Sequence, residues 1–170
     1  MNAAHFGDPF DEESTMGPMA RKDLREELHQ QVVSSMEKGA EVVIGGEIPH
    51  RKGTYYPPTI LENVQPGMPA YDDELFGPVA SVIKVKDVDE AIRVANDTEF
   101  GLGAAVFTSD TKKGENIAEK HLEAGACFVN DFVKSDPRLP FGGIKTSGFG
   151  RELSIHGIKE FMNAKTVVVK

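Results

Sequence analysis

Three short apolar stretches, separated by two amphipathic ones, limit what this chain can fold into between residues 79 and 130. The stretches 79–85, 103–107 and 126–130 are nearly continuous apolar runs, as expected of strands that are buried on both faces. The segments between them repeat their apolar residues at helical spacing. Strands that alternate with helices in this way pair in parallel through crossover helices. The sequence therefore predicts an α/β fold with a largely parallel sheet.

Local patterns place the two crossover helices. Asp87 and Glu90 are spaced as a capping box, which predicts a helix that runs through Asn96. An apolar face predicts a second helix from Asp110 to about Leu122. Both helices lie between predicted strands, where crossover connections belong.

A longer helix is predicted upstream, over residues 23–38, because its apolar residues recur at every fourth position. Asp23, followed by Glu26, fits a capping box at the start of this helix. Gly39 fits the left-handed residue that commonly ends a helix. The predicted apolar face consists of Leu24, Leu28, Val32 and Met36.

Two extended segments follow this helix. Residues 41–44 form a short apolar run that predicts a strand. Residues 55–61 also have an extended pattern, but they contain Pro57 and Pro58. Because proline cannot donate a hydrogen bond to a strand ladder, this segment is expected at a sheet edge and not at a sheet centre.

The two ends of the chain are predicted to differ in structure. Residues 1–20 show no helical or strand period and are expected to form an arm. Residues 152–163 are predicted to form a helix, although Gly157 weakens it. Residues 165–169 follow as a strand with no partner nearby in the sequence. Such a strand is expected to pair with another chain, which makes a homo-oligomer the expected assembly.

Composition argues against several classes of function. The 170 residues carry a net charge of −8 without a basic block, so no nucleic-acid partner is expected. No apolar run has membrane-spanning length, and residues 1–8 lack the pattern of a signal peptide. The single cysteine, Cys127, excludes an internal disulfide and a Cys-rich metal site, and a cytoplasmic location is expected by default. The five histidines are scattered and predict no metal site.

One stretch combines charge and aromatic character at the start of a predicted strand. Residues 72–79 run from three carboxylates through Leu75 and Phe76 into a Gly-Pro turn. A loop that leads into a strand can direct a carboxylate and a ring towards the same ligand. The alternative is an acidic, solvated turn whose aromatic residue packs in the core.

A second candidate is the long loop after residue 130. Lys134, Ser135 and Arg138 place two cations and a hydroxyl ahead of Phe141. In an acidic protein this cluster could hold a carboxylate through charge-assisted hydrogen bonds. The alternative is a solvated loop. Cys127 is interpreted as a core residue because no cation adjoins it in the sequence to stabilise a thiolate, and no catalytic residue is assigned.

Several motifs occur in the order found in NAD(P)-dependent aldehyde dehydrogenases, and the chain resembles that family over almost its whole length. Within the family it is most similar to succinate-semialdehyde dehydrogenases, because Ser135 stands where those enzymes place a serine that binds the substrate carboxylate. The motifs are Glu74-Leu75-Phe76-Gly77-Pro78-Val79, Phe100-Gly101-Leu102, Pro140-Phe141-Gly142-Gly143-Ile144-Lys145 and Ser147-Gly148-Phe149-Gly150-Arg151-Glu152.

The resemblance implies a role for each motif. Glu74 would bind the ribose hydroxyls of the nicotinamide nucleotide, and Phe76 would pack near the nicotinamide ring. Residues 130–141 would form a wall of the pocket for a small acidic aldehyde, with Lys134, Ser135, Arg138 and Phe141 as contacts. Residues 165–169 would take part in subunit assembly.

The resemblance also implies that important parts lie elsewhere. In the family, the cofactor-binding domain, the general-base Glu and the nucleophilic Cys precede the segment that matches this chain. Residues 21–151 would be a truncated catalytic domain, and 152–170 a C-terminal helix and oligomerisation strand. This chain alone is therefore expected to be inactive and to bind neither NAD nor NADP. A missing N-terminal half is an expected partner, and the alternative function is a non-catalytic assembly module.

Overall fold

The computed structural model describes residues 4–170, so the first three residues of the predicted arm lie outside the described part. The chain divides into two compact units, Met1–Lys84 and Val85–Lys170. The boundary between the units falls inside the segment 21–151 that was predicted as one domain. Each unit contains both helices and strands, as the predicted α/β class requires.

The first unit contains a three-stranded sheet. Its central strand pairs antiparallel with the first strand and parallel with the third. The elements in chain order are α1 (Lys22–Glu37), β1 (Glu41–Ile44), β2 (Thr59–Glu62), α2 (Pro69–Asp72) and β3 (Val79–Ser81).

The order of these strands corrects one prediction. The segment with Pro57 and Pro58 leads into β2, which is the centre of the sheet and not its edge. Both prolines lie before the first strand residue, Thr59, so neither takes a position in the ladder. A proline immediately before a strand therefore does not limit that strand to an edge.

Helix α1 confirms the predicted helix and buries Leu28 and Val32, but Met36 of the predicted apolar face is 43% exposed and the predicted cap is not formed. Its N-cap residue is Arg21, and no side chain of the described residues caps it. Asp23 instead forms an ion pair with Arg21. At the other end, Gly39 has a φ of +109°, as predicted for a left-handed residue after the helix.

The buried core of the first unit lies between α1 and β2. Leu28 and Val32 of α1 are 1% and 0% exposed, and Leu61 of β2 is 0% exposed. Ser35 is also fully buried and joins α1 to α2. Its hydroxyl donates to the Gln31 carbonyl at 2.8 Å and accepts the Ala70 N–H at 2.9 Å, so this polar group is satisfied.

The second unit contains a parallel pair of strands joined through a helix. Its elements are α3 (Val88–Asn96), β4 (Gly103–Val106), α4 (Thr111–Lys120), β5 (Ala126–Val129) and α5 (Ser154–Glu160), with a short 3₁₀ helix at Lys145–Ser147. The β4–α4–β5 crossover is confirmed. The predicted strand over 79–85 is shorter, and as β3 it pairs with β2 in the first unit.

Helix capping in the second unit agrees with the sequence. The Asp87 carboxylate accepts the Glu90 N–H at 2.8 Å, and the Glu90 carboxylate accepts the Lys86 N–H at 2.9 Å. The Asp110 carboxylate accepts the Lys113 N–H at 3.0 Å and so caps α4. These bonds satisfy N–H groups that a helix start leaves free.

Burial in the second unit is lower than predicted. The strands β4 and β5 are partly exposed along their length within the described structure. Apolar side chains of α3, β4 and α4 line an open groove of about 370 Å³. The prediction that these strands are buried on both faces is wrong for this chain, because an apolar face expected to be covered is open.

The C-terminal end is mostly irregular. Helix α5 is shorter than the predicted helix over 152–163, and residues 163–170 form neither helix nor strand. Val167, Val168 and Val169 are 72%, 79% and 88% exposed. Because the predicted strand requires a second chain, it stays a prediction. No helix among residues 4–170 is long and apolar enough to cross a membrane.

We predict that Val32→Ala destabilises the first unit by about 2 kcal/mol, because it removes buried methyl groups and leaves a cavity. The matched control is Val43→Ala in β1, where the side chain is 56% exposed, and its effect is expected to be small. Hydrogen exchange of the slowest amides in α1 and β2 measures both changes. Equal effects of the two substitutions would contradict the assignment of the core.

Candidate functional site

The candidate residues Glu74 and Phe76 lie in the connection between α2 and β3. The Glu74 carbonyl accepts a hydrogen bond from Gln31 Nε2 of α1 at 3.2 Å, which fixes the loop on that helix. The next turn is tight, since the Gly77 N–H donates to the Leu75 carbonyl at 2.8 Å. The loop therefore holds its exposed side chains on a rigid helix.

Both side chains border the same small pocket, of about 180 Å³, on the surface of the first unit. The pocket walls are Leu24, Glu27, Leu28 and Gln31 of α1 together with Glu74 and Phe76. The four helix residues follow the spacing of one helical face, which is the signal that could have identified Glu27 and Gln31 from the sequence. A second carboxylate, that of Glu27, thus adjoins the predicted one.

The Glu74 carboxylate is available to a ligand. It is exposed and makes no hydrogen bond or ion pair to any residue that the structure describes. The Phe76 ring is 69% exposed, so its faces are also open. A free carboxylate accepts several hydrogen bonds, and an aromatic ring offers an apolar surface. Together they can bind a group that combines a diol with a planar ring.

The other candidate residues lie in the second unit, in the loop that follows β5. Each cation of this loop already has an aspartate partner. Lys134 Nζ lies 2.6 Å from Asp131 Oδ2, and Arg138 binds Asp136 through Nε at 2.9 Å and Nη2 at 2.5 Å. The loop is therefore close to neutral and does not present two free cations.

These ion pairs alter the acidity of the aspartates. The Arg138 guanidinium holds the pKa of Asp136 well below its usual range by hydrogen bonding. The Lys134 ammonium lowers the pKa of Asp131 in the same way. Both carboxylates stay ionised at neutral pH, so they compete with any anionic ligand for the two cations.

Ser135 lies between the two ion pairs. It is exposed, and its hydroxyl makes no hydrogen bond within residues 4–170. Arg138 also has its Nη1 group outside the pair with Asp136. A hydroxyl and a guanidinium N–H remain as donors, and both can bind a carboxylate.

The two ends of this loop are held by hydrogen bonds. At the start, Asn130 binds both backbone groups of Thr108 through its side-chain amide. At the end, the half-buried Phe141 exchanges backbone bonds of 2.9 and 2.8 Å with Glu152. Sequence reasoning included Asn130 only as part of a wall and missed this contact, because nothing local in the sequence indicates it.

Cys127 has the environment of a packing residue. It lies in β5 opposite Ala104 and is partly buried. Burial raises the pKa of its thiol, which disfavours the thiolate that a nucleophile requires. Within residues 4–170 no three His, Cys, Asp or Glu side chains come together as a possible metal site.

The fold and the exposed polar groups define an α/β protein with two candidate sites for ligands. A family model described as "Aldehyde dehydrogenase family" matches residues 1–167. The chain belongs to the aldehyde dehydrogenase family, whose members are oxidoreductases that act on aldehydes.

Similar proteins carry a more specific name. Succinate semialdehyde dehydrogenase [NAD(P)+] Sad of Escherichia coli is 51% identical over 165 residues, which are 97% of this chain and 36% of that protein. Succinate-semialdehyde dehydrogenase [NADP(+)] 1 of Mycobacterium ulcerans is 46% identical over 169 residues, 99% of this chain and 37% of that protein. The chain thus spans about a third of the length of these relatives.

A solved structure shows the same fold. Succinic semialdehyde dehydrogenase from Streptococcus pyogenes, in complex with NADP+, matches with a TM-score of 0.94 and 39% identity. The match covers 99% of this chain and 37% of that one. The resemblance in the motifs therefore extends to the arrangement of the backbone.

We predict that Gly77→Ala displaces the loop that carries Glu74 and Phe76. A methyl group at Gly77 would lie 2.4 Å from Leu28 Cδ2, and Leu28 is buried and cannot move away easily. We expect a loss of about 1–3 kcal/mol in stability, measured by urea denaturation followed by circular dichroism.

The matched control is Gly17→Ala, whose methyl group would meet Pro9 Cγ at an ordinary distance of 3.5 Å. This substitution is expected to leave the urea midpoint close to that of the unmodified chain. A Gly77→Ala midpoint as high as that of the control would show that the loop does not depend on this close packing.

Proposed function

We propose that this chain forms the C-terminal part of a succinate-semialdehyde dehydrogenase, which oxidises a short acidic aldehyde with NAD or NADP. The observation that carries the proposal is the 51% identity to the Escherichia coli enzyme over 97% of the chain. In this proposal the chain contributes contacts to the cofactor and the substrate. A cytoplasmic location, expected by default for a chain with a single cysteine, is part of it.

Glu74 and Phe76 are the proposed cofactor contacts. The unpaired Glu74 carboxylate accepts hydrogen bonds from the two hydroxyls of the nicotinamide ribose. The exposed Phe76 ring packs beside the nicotinamide and restricts its position. When bound there, the cofactor would supply the hydride acceptor for the oxidation. The free carboxylate and the open ring fit this part of the cofactor.

The loop after β5 is the proposed contact for the substrate carboxylate. Ser135 supplies a hydroxyl donor, and Arg138 supplies an N–H group outside its pair with Asp136. Lys134, whose ammonium is paired with Asp131, is a further contact beside Ser135, and Phe141 forms an apolar wall at the end of the loop. These donors are the reason to propose an aldehyde that carries an acid group.

The isolated chain is proposed to lack dehydrogenase activity. The family resemblance implies that oxidation of the aldehyde uses a thiolate nucleophile and a base, and it places both outside this segment. The one cysteine, Cys127, has a raised pKa and a packing role in β5. The chain therefore holds binding contacts but no group for the covalent step.

A chimera tests this proposal. The chain replaces the matching 36% of the Escherichia coli enzyme, and NADH or NADPH formation with succinate semialdehyde is followed by absorbance. We expect activity from the chimera and none from the isolated chain. Turnover by the isolated chain, or a folded chimera without activity, would overturn the proposal.

Two substitutions in the chimera test the assigned contacts. Glu74→Gln is expected to raise the KM for the cofactor about tenfold, because a charged acceptor is lost, while Asp73→Asn serves as the neighbouring control. Ser135→Ala is expected to raise the KM for succinate semialdehyde about fivefold, with Ser109→Ala as control. Equal effects in a substitution and its control would refute that contact.

A second candidate function is a non-catalytic assembly module, which is favoured by the exposed valines 167–169. Three consecutive exposed valines form a segment suited to strand pairing with another copy of this chain. We expect a dimer or larger species in size-exclusion chromatography with light scattering. Val168→Lys should shift it to monomer, and Leu139→Lys, at another exposed apolar residue, should not. A monomer at high concentration excludes this function.

A further inference from the structure

We infer that Asn130 is a positioning residue that fixes the loop 131–141, so that Ser135 and Arg138 meet the substrate carboxylate. The inference rests on the proposed function, but the contacts that support it belong to the second unit alone. Asn130 acts in this account through the loop and does not bind the substrate itself.

The side chain of Asn130 continues the pairing of β4 and β5 beyond the last strand residues. Its Oδ1 accepts the Thr108 N–H at 2.8 Å, and its Nδ2 donates to the Thr108 carbonyl at 2.9 Å. The Asn130 N–H donates to the Val106 carbonyl at 2.8 Å. Three bonds thus join the carboxyl ends of the two parallel strands, which is the edge where α/β sheets place ligands.

The backbone of Asn130 turns the chain at this point. Its φ is +55°, in the left-handed region that residues other than glycine rarely adopt, although asparagine tolerates it best. A strained conformation persists only where surrounding contacts enforce it, and the two bonds to Thr108 do so here. The left-handed turn ends the strand and directs residues 131–141 out of the sheet.

The residues that directly follow the turn are held by side-chain contacts. Asp131 Oδ1 accepts the Phe132 N–H at 2.9 Å, and Asp131 Oδ2 binds Lys134. The Phe132 ring packs against Phe107 with centroids 5.5 Å apart, next to Thr108. Asp131 and Phe132 therefore link Asn130 to Lys134, where the proposed carboxylate contacts begin.

The same unit offers a matched control at the other end of β5. Asn96 Oδ1 accepts the Glu123 N–H at 2.9 Å, and Asn96 Nδ2 donates to the His121 carbonyl at 2.7 Å. The chemistry is the same as at Asn130, but the contacted backbone precedes β5 and does not lead into the loop 131–141. Loss of Asn96 therefore reports the general cost of removing such a contact.

The experiment compares two aldehydes in the chimera. Succinate semialdehyde carries the carboxylate, and butanal has the same chain length without it. Asn130→Gly tolerates the positive φ but loses the bonds to Thr108. Asn130→Ala loses these bonds and also strains the backbone at the positive φ. We expect Asn130→Gly to raise the KM for succinate semialdehyde about tenfold, with less than about a twofold change for butanal. Asn130→Ala should have the larger effect, and Asn96→Ala should change both substrates alike.

A KM that changes equally for the two aldehydes, or not at all, in Asn130→Gly overturns the inference. If the unmodified chimera does not distinguish the two aldehydes, the proposed function fails instead. Amide exchange in the 170-residue chain then tests positioning by itself. Faster exchange at the hydrogen-bonded amides of Phe132 and Leu139 in Asn130→Gly, and not in Asn96→Ala, supports positioning, and unchanged exchange refutes it.

Discussion

The packing of α1 on β2 is the interaction on which the first unit depends. All buried apolar side chains of the described structure belong to this unit, and Leu28, Val32 and Leu61 are among the least exposed. The candidate cofactor contacts rest on the same helix, because Gln31 binds the Glu74 carbonyl and Leu28 packs against Gly77. The hydrophobic face of α1 therefore stabilises the fold, while its neighbouring face positions a carboxylate and a ring.

The second unit is organised differently. None of its described apolar side chains is buried, and side-chain hydrogen bonds to the backbone hold its segments together. Asn96 and Asn130 each bind two backbone groups at opposite ends of β5. Lys145 adds bonds to the carbonyls of Asn96 and Thr98 at 2.8 and 3.0 Å. Each net bond contributes only about 1 kcal/mol, so the unit is expected to be less stable than one with a buried core. The apolar groove beside β4 is open in the described structure, in keeping with this lower burial.

Local features of the fold were predictable, and features that depend on distant residues were not. The Asp87 cap follows from residues three positions apart, so the sequence contains the whole interaction. Asp23 has the same spacing to Glu26, but its carboxylate forms an ion pair with Arg21 and does not cap α1. The prolines before Thr59 predicted an edge strand, but strand order depends on tertiary packing, and β2 is the central strand. The contact of Asn130 with Thr108 joins residues 22 positions apart, and no periodicity or spacing indicates it.

The candidate site follows the same division. Motif order led to Glu74 and Ser135 as candidates, and both stay predictions. The pairing of Lys134 with Asp131 and of Arg138 with Asp136 depends on side-chain geometry that motif order does not contain. With both cations paired, long-range attraction for an anion is small, and the proposed binding of a carboxylate would depend on the direction of the remaining donors. A short hydroxyl such as that of Ser135 binds only if its backbone is held in place. In a neutral loop, the position of the residue that precedes it, Asn130, therefore matters more than it would in a strongly basic loop.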